Sequence, residues 1–233
     1  MMIKHYLKVA FRNLAKYKVQ SIVSILGLAV GFVCFALSTL WIRYEMTYDT
    51  FHEGAERIYL VRAHYAHEPG KISNSTPYPL ADYLQKGNPE IEAMASTSVQ
   101  KVKFRVKDTE KDVVSAAADS VLMNFFNIRV LRGTVNFLKG TNGEIAITEE
   151  FSKRIFGEEE ALGREVEVSG HASKVGAIVS GWSSHSNIPY SILTSARHYT
   201  QWGSANENLF VRIRKGTNGE EFQKKIAALR IND

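Results

Sequence analysis

The sequence is poor in cysteine and contains a single one, Cys34. One thiol cannot form an intramolecular disulfide, so the chain is not a disulfide-stabilised scaffold. It must fold by burying apolar side chains, and residues 43–233 are long enough to do so as one large domain or two small ones.

Acidic residues are absent from the first 42 positions, which carry five basic residues. The whole chain has 29 Lys and Arg against 24 Asp and Glu, so 24 of each sign remain in residues 43–233. That part has no excess of basic charge to meet a phosphate backbone, and we expect no nucleic-acid partner.

Motifs of catalysis are also missing: the chain has no P-loop, no G-x-S-x-G elbow and no H-E-x-x-H. Ser98 and Lys101 match S-x-x-K without its companion motifs, and His64 with His67 lacks further metal ligands. His185 follows two serines outside any nucleophile motif. We interpret all five as surface or loop residues, and predict a protein that is not an enzyme and needs no metal or cofactor.

The one long apolar segment is VQSIVSILGLAVGFVCFALSTLWI, residues 19–42, which has no charged residue. As a helix at ~1.5 Å per residue, it would be long enough to cross a hydrocarbon core of roughly 30 Å. A signal peptide would have a shorter apolar run and a small-x-small cleavage site, which the segment lacks. We predict a retained transmembrane helix.

The flanking charges predict its orientation. Lys4, Lys8, Arg12, Lys16 and Lys18 precede the span, and acidic residues follow it. The positive-inside rule places the N-terminus in the cytoplasm and residues 43–233 outside. The four-residue spacing of the first four cations favours an amphipathic helix over residues 1–18 on the inner leaflet, although an ordinary basic flank is the alternative.

Small residues recur along the span with spacings of three and four: Ser24, Gly27, Gly31, Cys34 and Ser38. They share one helix face, where another helix could approach closely. The pattern favours a packed helix over a lone anchor.

The helical pattern continues past the span. Trp41 and Tyr44 are expected at the membrane interface as an aromatic belt, and Gly54 is a plausible stop. We therefore predict one helix from about residue 19 to 53, with residues 43–54 forming a stalk, the alternative being a short linker.

The remainder, residues 55–233, mixes strand and helix patterns. VKFRVKD alternates with Val102 and Phe104 on one face. Helices are predicted in three segments from their caps, with Thr76, Thr148 and Thr217 at the N-termini. The expected fold class is α+β with two lobes.

Several segments in order resemble the N-terminal part of MacB/FtsX-like ABC transporter permeases, in the version found in Bacteroidetes-type bacteria. They are AFRNLAKYKVQSIVSILGLAVG, YEMTYDTFHEGAERIYLV, TPYPLADYLQKGNPEIEA, ADSVLMNFFNIRVLRG and EIAITEEFSKRIFGEEEALGREV. The resemblance covers nearly the entire chain, from about Ile3 to Leu229.

The resemblance implies a transmembrane helix, a stalk, and a periplasmic core domain in which a porter-like lobe carries an inserted smaller lobe. It implies a separate cytoplasmic ABC ATPase, whose motion is transmitted to the periplasm for export or mechanotransmission. Further permease helices or a second permease copy, and a periplasmic adaptor or substrate protein, are the other partners expected.

Members of that family carry further membrane helices after this domain, whereas no second apolar run of membrane length occurs here. We therefore expect the N-terminal portion of a longer permease or a truncated product. The alternatives are a single-pass sensor or partner-binding domain, disfavoured by a cytoplasmic part of only about 18 residues, and an anchored hydrolase, which lacks a nucleophile.

Overall fold

The structure is a computed structural model that describes residues 2–66, 68–182, 186 and 188–230. Within the first helix, side chains are described at positions 5, 6, 9 and from 12 onwards, so those of Lys4 and Lys8 lie outside the description. The chain divides into two compact units, Met1–Tyr48 and Asp49–Asp233.

The first unit contains two helices, α1 (Met2–Lys16) and α2 (Lys18–Met46). They are separated at Tyr17, whose φ of −106° and ψ of 55° are not helical, and the Ser21 hydroxyl donates to the Leu14 carbonyl across the break. Among the described residues, α2 is the one helix long and apolar enough to span a membrane, by length and composition.

The predicted stalk helix is wrong beyond Met46. The Thr47 hydroxyl donates to the carbonyls of Arg43 and Tyr44, competing for the last-turn acceptors. Two residues later, Asp49 has a φ of 56°, which a right-handed helix cannot contain. Residues 47–54 therefore form turns.

The second unit begins with a small sheet and its helices. Its strands and helices are β1 (Ile58–Leu60), β2 (Ala63–His64), β3 (Ile72–Ser73), β4 (Thr76–Pro77), α3 (Leu80–Gly87) and β5 (Ile91–Thr97). The chain returns to this sheet at its end with β13 (Ala205–Ile213) and α6 (Gly219–Ala227). Strand β13 is central, paired with β5 along one edge and with β1 and β4 along the other, while β2 and β3 form a separate hairpin.

Between β5 and β13 the chain builds a second sheet. Its elements are β6 (Val99–Val106), β7 (Thr109–Ala118), α4 (Ser120–Phe125), β8 (Val130–Gly133), β9 (Glu144–Thr148), α5 (Glu149–Phe156), β10 (Glu165–Val168), β11 (His171–Val179) and β12 (Ile192–Ser195). Strand β10 pairs with both β6 and β11, so six strands close into a barrel in the order β6–β7–β12–β9–β11–β10, with β8 attached to β11.

All six barrel strands contribute to one apolar core, and Phe104 meets Phe151 of α5 there at 5.0 Å between ring centroids. A second core packs α3 and α6 on the small sheet, and a third joins α4 to strands of both sheets. The mixed α+β class with an N-terminal apolar helix is confirmed. The inserted part has more strands than the sheet that it interrupts, where the resemblance implies a smaller lobe.

Of the predicted helix caps, one is confirmed. The Thr148 hydroxyl accepts from the Phe151 backbone N–H, and α5 ends before Gly157. Thr76 and Pro77 are instead strand β4, so α3 begins at Leu80.

The cap of α6 is Asn218 rather than Thr217. Its side-chain oxygen accepts from the N–H groups of Glu220 and Glu221. Asn and Thr both cap helices, and the sequence did not distinguish two adjacent candidates.

Candidate functional site

The chain enters the second unit through residues Asp49–Arg57, which we call the junction segment. Its turns are held by backbone bonds from His52 N–H to the Asp49 carbonyl at 3.2 Å and from Ala55 N–H to the His52 carbonyl at 3.1 Å. Gly54 has a φ of 72°, after which Ala55–Arg57 form a short 3-10 helix leading into β1. The segment is thus an ordered series of turns.

At the start of the junction segment, the buried Ser186 hydroxyl donates to a carboxylate oxygen of Asp49. The same hydroxyl accepts from the Ile188 N–H at 3.1 Å. The hydroxyl and the carboxylate are therefore held in fixed orientations. Asp49, the first residue of the second unit, is hydrogen-bonded to a residue 137 positions further along the chain.

In the middle of the segment, His52 packs among aromatic rings. Its ring centroid lies 4.9 Å from that of Phe126 and 4.8 Å from that of Trp182, and Phe126 packs on Phe210 at 5.2 Å. Burial lowers the pKa of His52, helped by Arg212 and opposed by Asp49. At neutral pH the ring is therefore an uncharged member of an apolar cluster.

At the end of the segment, Arg57 binds two neighbouring strands of the small sheet. Its Nη1 donates to the Ile213 carbonyl on β13 at 2.7 Å and to Glu92 Oε2 on β5 at 2.5 Å. The hydrogen bond from Arg57 lowers the pKa of Glu92, which keeps this carboxylate ionised at neutral pH. Arg57 therefore joins the segment to the central strand of the sheet.

A cavity of about 340 Å³ adjoins the junction segment. Asp49, His52 and Ala55 line one part of it. The other described lining residues come from β1 and β13, from the segment between β1 and β4, from the end of α4 and from the loop between β11 and β12: Ile58, Leu60, Arg62, Asn74, Phe126, Trp182, Ser186, Ile188, Asn208 and Phe210.

A charged cluster lies elsewhere in the unit, around His198. The imidazole Nδ1 is 3.0 Å from Glu207 Oε1 on β13, and Nε2 is 3.3 Å from Asp119 Oδ2, whose other oxygen caps α4 by accepting from Leu122 N–H. Tyr78 stacks on the imidazole at 4.0 Å.

Both carboxylates stabilise the imidazolium. Their hydrogen bonds, from Asp119 first and Glu207 second, raise the pKa of His198 to about 9 against the opposing effect of burial. Burial raises the pKa of Asp119, but its bonds to His198 and Leu122 outweigh this and lower it overall. At neutral pH the cluster is therefore a cation between carboxylates, joining β13 to the N-terminus of α4.

The comparisons with known proteins agree with this architecture. A family profile described as the MacB-like periplasmic core domain matches residues 21–229.

The chain belongs to the MacB-like periplasmic core domain family.

Solved structures show the same fold. A domain of a permease protein from Porphyromonas gingivalis superposes with a TM-score of 0.61 at 19% identity, covering 75% of this chain and 82% of that one. The extracellular domain of the noncanonical ABC-type transporter YknZ from Gram-positive bacteria gives 0.51 at 15% identity, covering 71% and 86%. The periplasmic region of MacB from Actinobacillus actinomycetemcomitans gives 0.50 at 12% identity, covering 72% and 79%.

A search of curated proteins finds no match. The family and its structural neighbours nevertheless identify an ABC transporter permease periplasmic domain, of a type that works with ATPase subunits. Together with the apolar helix α2, this indicates a membrane-anchored protein.

The predicted packing residues of this MacB-like chain all lie on α2 and are exposed: Ser24, Gly27, Gly31, Cys34 and Ser38. A side chain added at Gly27 or Gly31 would meet no atom within 4 Å. The face is accessible to a partner helix, and its packing stays a prediction.

Trp41 and Tyr44 are adjacent near the end of α2, with ring centroids 6.4 Å apart, and both are exposed. Of the predicted topology residues, Arg12 and Lys16 are exposed on α1 and Lys18 begins α2. Their roles at a membrane stay predictions.

The structure describes three of the five weak enzymatic candidates, Ser98, Lys101 and His64. Ser98 precedes β6 and Lys101 lies three residues further along, an odd spacing that puts side chains on opposite faces of a strand. His64 is exposed on β2, whereas His67 and His185 lie outside the described residues. Within the described residues, no group of three His, Cys, Asp or Glu side chains could hold a metal ion.

Sequence reasoning missed the junction contacts and the His198 cluster. Ser186, Phe126 and Trp182 are far from His52 in sequence, and no local pattern pairs them. One signal was available: Asp119 directly precedes Ser-Val-Leu, and an aspartate before an apolar run is a typical helix cap.

Proposed function

We propose that the chain is the N-terminal part of an ABC transporter permease subunit that transmits ATPase-driven motion to a periplasmic domain. The observation that carries this proposal is the fastening of the junction segment at three successive points. A segment held only by its covalent ends would absorb a displacement of the membrane helix. The junction segment is also attached through its side chains, so it would transmit such a displacement to the domain.

The three attachments reach different parts of the unit. Asp49 is bound by Ser186, His52 packs into the aromatic cluster, and Arg57 binds β5 and β13. A pull on Asp49 would therefore act both on the loop before β12 and on the small sheet. This supports transmission through the turns themselves, without the stalk helix that the sequence predicted.

In this proposal the N-terminus is cytoplasmic and residues 43–233 are periplasmic, at a bacterial inner membrane. A separate cytoplasmic ABC ATPase supplies the energy. The exposed small-residue face of α2 would pack on further permease helices or on a second permease copy. A periplasmic adaptor or a substrate protein would meet the periplasmic domain.

The second candidate is a membrane-anchored sensor, and the cavity beside the junction segment supports it. In a sensor, a ligand would move the segment, whereas in the transmission proposal the ATPase would. Co-purification of an ABC ATPase with the full-length permease would favour transmission.

The direct test is to insert four Gly and Ser residues between Tyr48 and Asp49 in the full-length permease, expressed with its ATPase. Spin labels at Lys107→Cys, in a permease whose other cysteines, Cys34 among them, are replaced by alanine, would report the distance between two permease copies. ATP should change this distance in the parent protein and leave it unchanged in the insertion variant, because a flexible linker absorbs displacement.

The matched control places the same insertion between Lys107 and Asp108, in the exposed turn joining β6 and β7, with the label moved to Lys224→Cys. This control should keep the ATP-dependent change. An unaltered response with the insertion at Tyr48 would contradict transmission through the junction segment.

A further inference from the structure

The cavity beside the junction segment is uneven in polarity. Three phenyl or indole rings and six polar side chains contribute to its lining: Phe126, Trp182 and Phe210, and Asp49, His52, Arg62, Asn74, Ser186 and Asn208. Apolar walls with a few polar groups are typical of small-molecule sites, and about 340 Å³ is near the lower end of their usual volume.

The aromatic wall is fixed by its own packing. Trp182 contacts Phe126 at 4.9 Å and Tyr190 at 4.8 Å between ring centroids, both edge-to-face. The Tyr190 hydroxyl is in turn bonded to the Ser180 carbonyl at 2.9 Å. A ligand would therefore meet an ordered surface and pay little to organise it.

Among the described residues of the lining, one side chain is permanently cationic, Arg62. Arg62 is exposed between β1 and β2, and no carboxylate of the described residues forms an ion pair with it. By contrast, Arg57, a few positions earlier, pairs with Glu92.

The charges of the lining restrict the ligand. His52 is neutral at pH 7 because burial lowers its pKa, so Arg62 is the one cationic residue among the described residues of the lining. Asp49 also lines the cavity, and its negative charge disfavours a dianion such as phosphate. One guanidinium beside aromatic walls fits a single carboxylate on an apolar body.

We propose that this cavity binds a small monocarboxylic acid with a branched or aromatic body, of the size of an N-acetylated amino acid. The carboxylate pairs with Arg62 and the body packs on Phe126, Trp182 and Phe210. The proposal goes beyond transmission of motion and needs no ATPase. Because His52 lines the same cavity, occupancy would act directly on the junction segment.

The test uses the full chain in lipid nanodiscs, labelled with 5-fluorotryptophan. Its three tryptophans, Trp41, Trp182 and Trp202, give three fluorine signals. N-acetyl-leucine or N-acetyl-phenylalanine, titrated to about 10 mM, should shift the Trp182 signal alone. The uncharged amides of the same compounds should shift it at least about tenfold less effectively, because they lack the charge-assisted bond.

Arg62→Gln should weaken the acids at least about tenfold, and Arg197→Gln, which changes an exposed arginine outside the cavity, should not. An unmoved Trp202 signal shows that each variant is folded. The peptide Ala-Ala-Leu carries the same group at a chain end, and its affinity relative to N-acetyl-leucine tells whether a free acid or a peptide terminus is preferred. Absence of a Trp182 shift with either acid, equal shifts with acids and amides, or unchanged binding by Arg62→Gln would overturn the proposal.

Discussion

Large apolar side chains are exposed on helix α2 and buried in the MacB-like core domain, residues 49–233. All of α2 is described, and none of its 29 residues is buried: Leu28 is 77% exposed and Phe32 is 70% exposed. In the domain, Phe104 and Phe137 are 1% and 0% exposed. A large apolar side chain gains roughly 1.5–3 kcal/mol on burial, so the domain obtains this stabilisation from its own residues.

The two regions therefore differ in where their stabilising contacts come from. The domain is self-sufficient, with three cores and a closed barrel. The apolar surface of α2 must be covered from outside the described chain, by lipid or by another helix. Substitutions in α2 should therefore change the membrane location and the assembly of the protein. Substitutions in the domain should change its free energy of unfolding.

The strongest change is expected in the membrane orientation of the chain. Reversing Lys4, Lys8, Arg12, Lys16 and Lys18 to Glu removes the basic flank that orients the span, so a reporter fused after Asp233 should lose its uniform periplasmic position. Activity of periplasmic and cytoplasmic reporters measures this. Unchanged orientation of the reversed chain would mean that other parts of the protein set the topology.

The next effect concerns the barrel core. Phe104→Ala should lower the free energy of unfolding of the domain by about 3–5 kcal/mol, because it leaves a cavity beside Phe151. Denaturant unfolding, monitored by a spectroscopic signal that arises from the domain, measures this loss. Val30→Ala, on α2, is the control and should leave domain unfolding unchanged. Equal losses of unfolding free energy in Phe104→Ala and Val30→Ala would contradict the expectation that α2 does not contribute to domain stability.

A smaller effect is expected on the small-residue face of α2. Gly27→Leu with Gly31→Leu should block close helix approach, at a cost of roughly 1–2 kcal/mol in association, while membrane insertion is kept or improved. Crosslinking between this helix and the others of the full-length permease measures the association. Val30→Leu, off that face, should be nearly silent. Normal crosslinking by the double variant would leave α2 as a plain anchor.

The sequence predicted features that depend on local pattern and missed those that depend on distant contacts. The N-terminal apolar helix, the cap of α5 by Thr148 and the alternation of Val102 and Phe104 each follow from neighbouring residues, and the structure contains all three. The helix predicted past Met46 was wrong because the spacing of side chains carries no information about the left-handed backbone of Asp49. The junction site needs Ser186, 137 positions from Asp49, and no local pattern reveals that pairing.

A still smaller effect is expected at the charged cluster of His198, whose contribution to domain stability depends on pH, unlike that of the apolar cores. The folded pKa of His198, about 9, exceeds the ordinary value of 6.5, so its stabilisation is complete below about pH 6.5 and is lost as the pH rises through about 9. His198→Gln should therefore lower the free energy of unfolding by about 1–2 kcal/mol at pH 6, after allowance for partial solvent screening, and by much less at pH 10.

Denaturant unfolding of the full chain at both pH values, with the difference between parent and variant taken at each, separates this effect from that of other titrating groups. His171→Gln, at an exposed position on β11, should show no such difference. A His198→Gln deficit that is the same at pH 6 and pH 10 would mean that His198 stabilises the domain by packing on Tyr78, and that its charge contributes nothing.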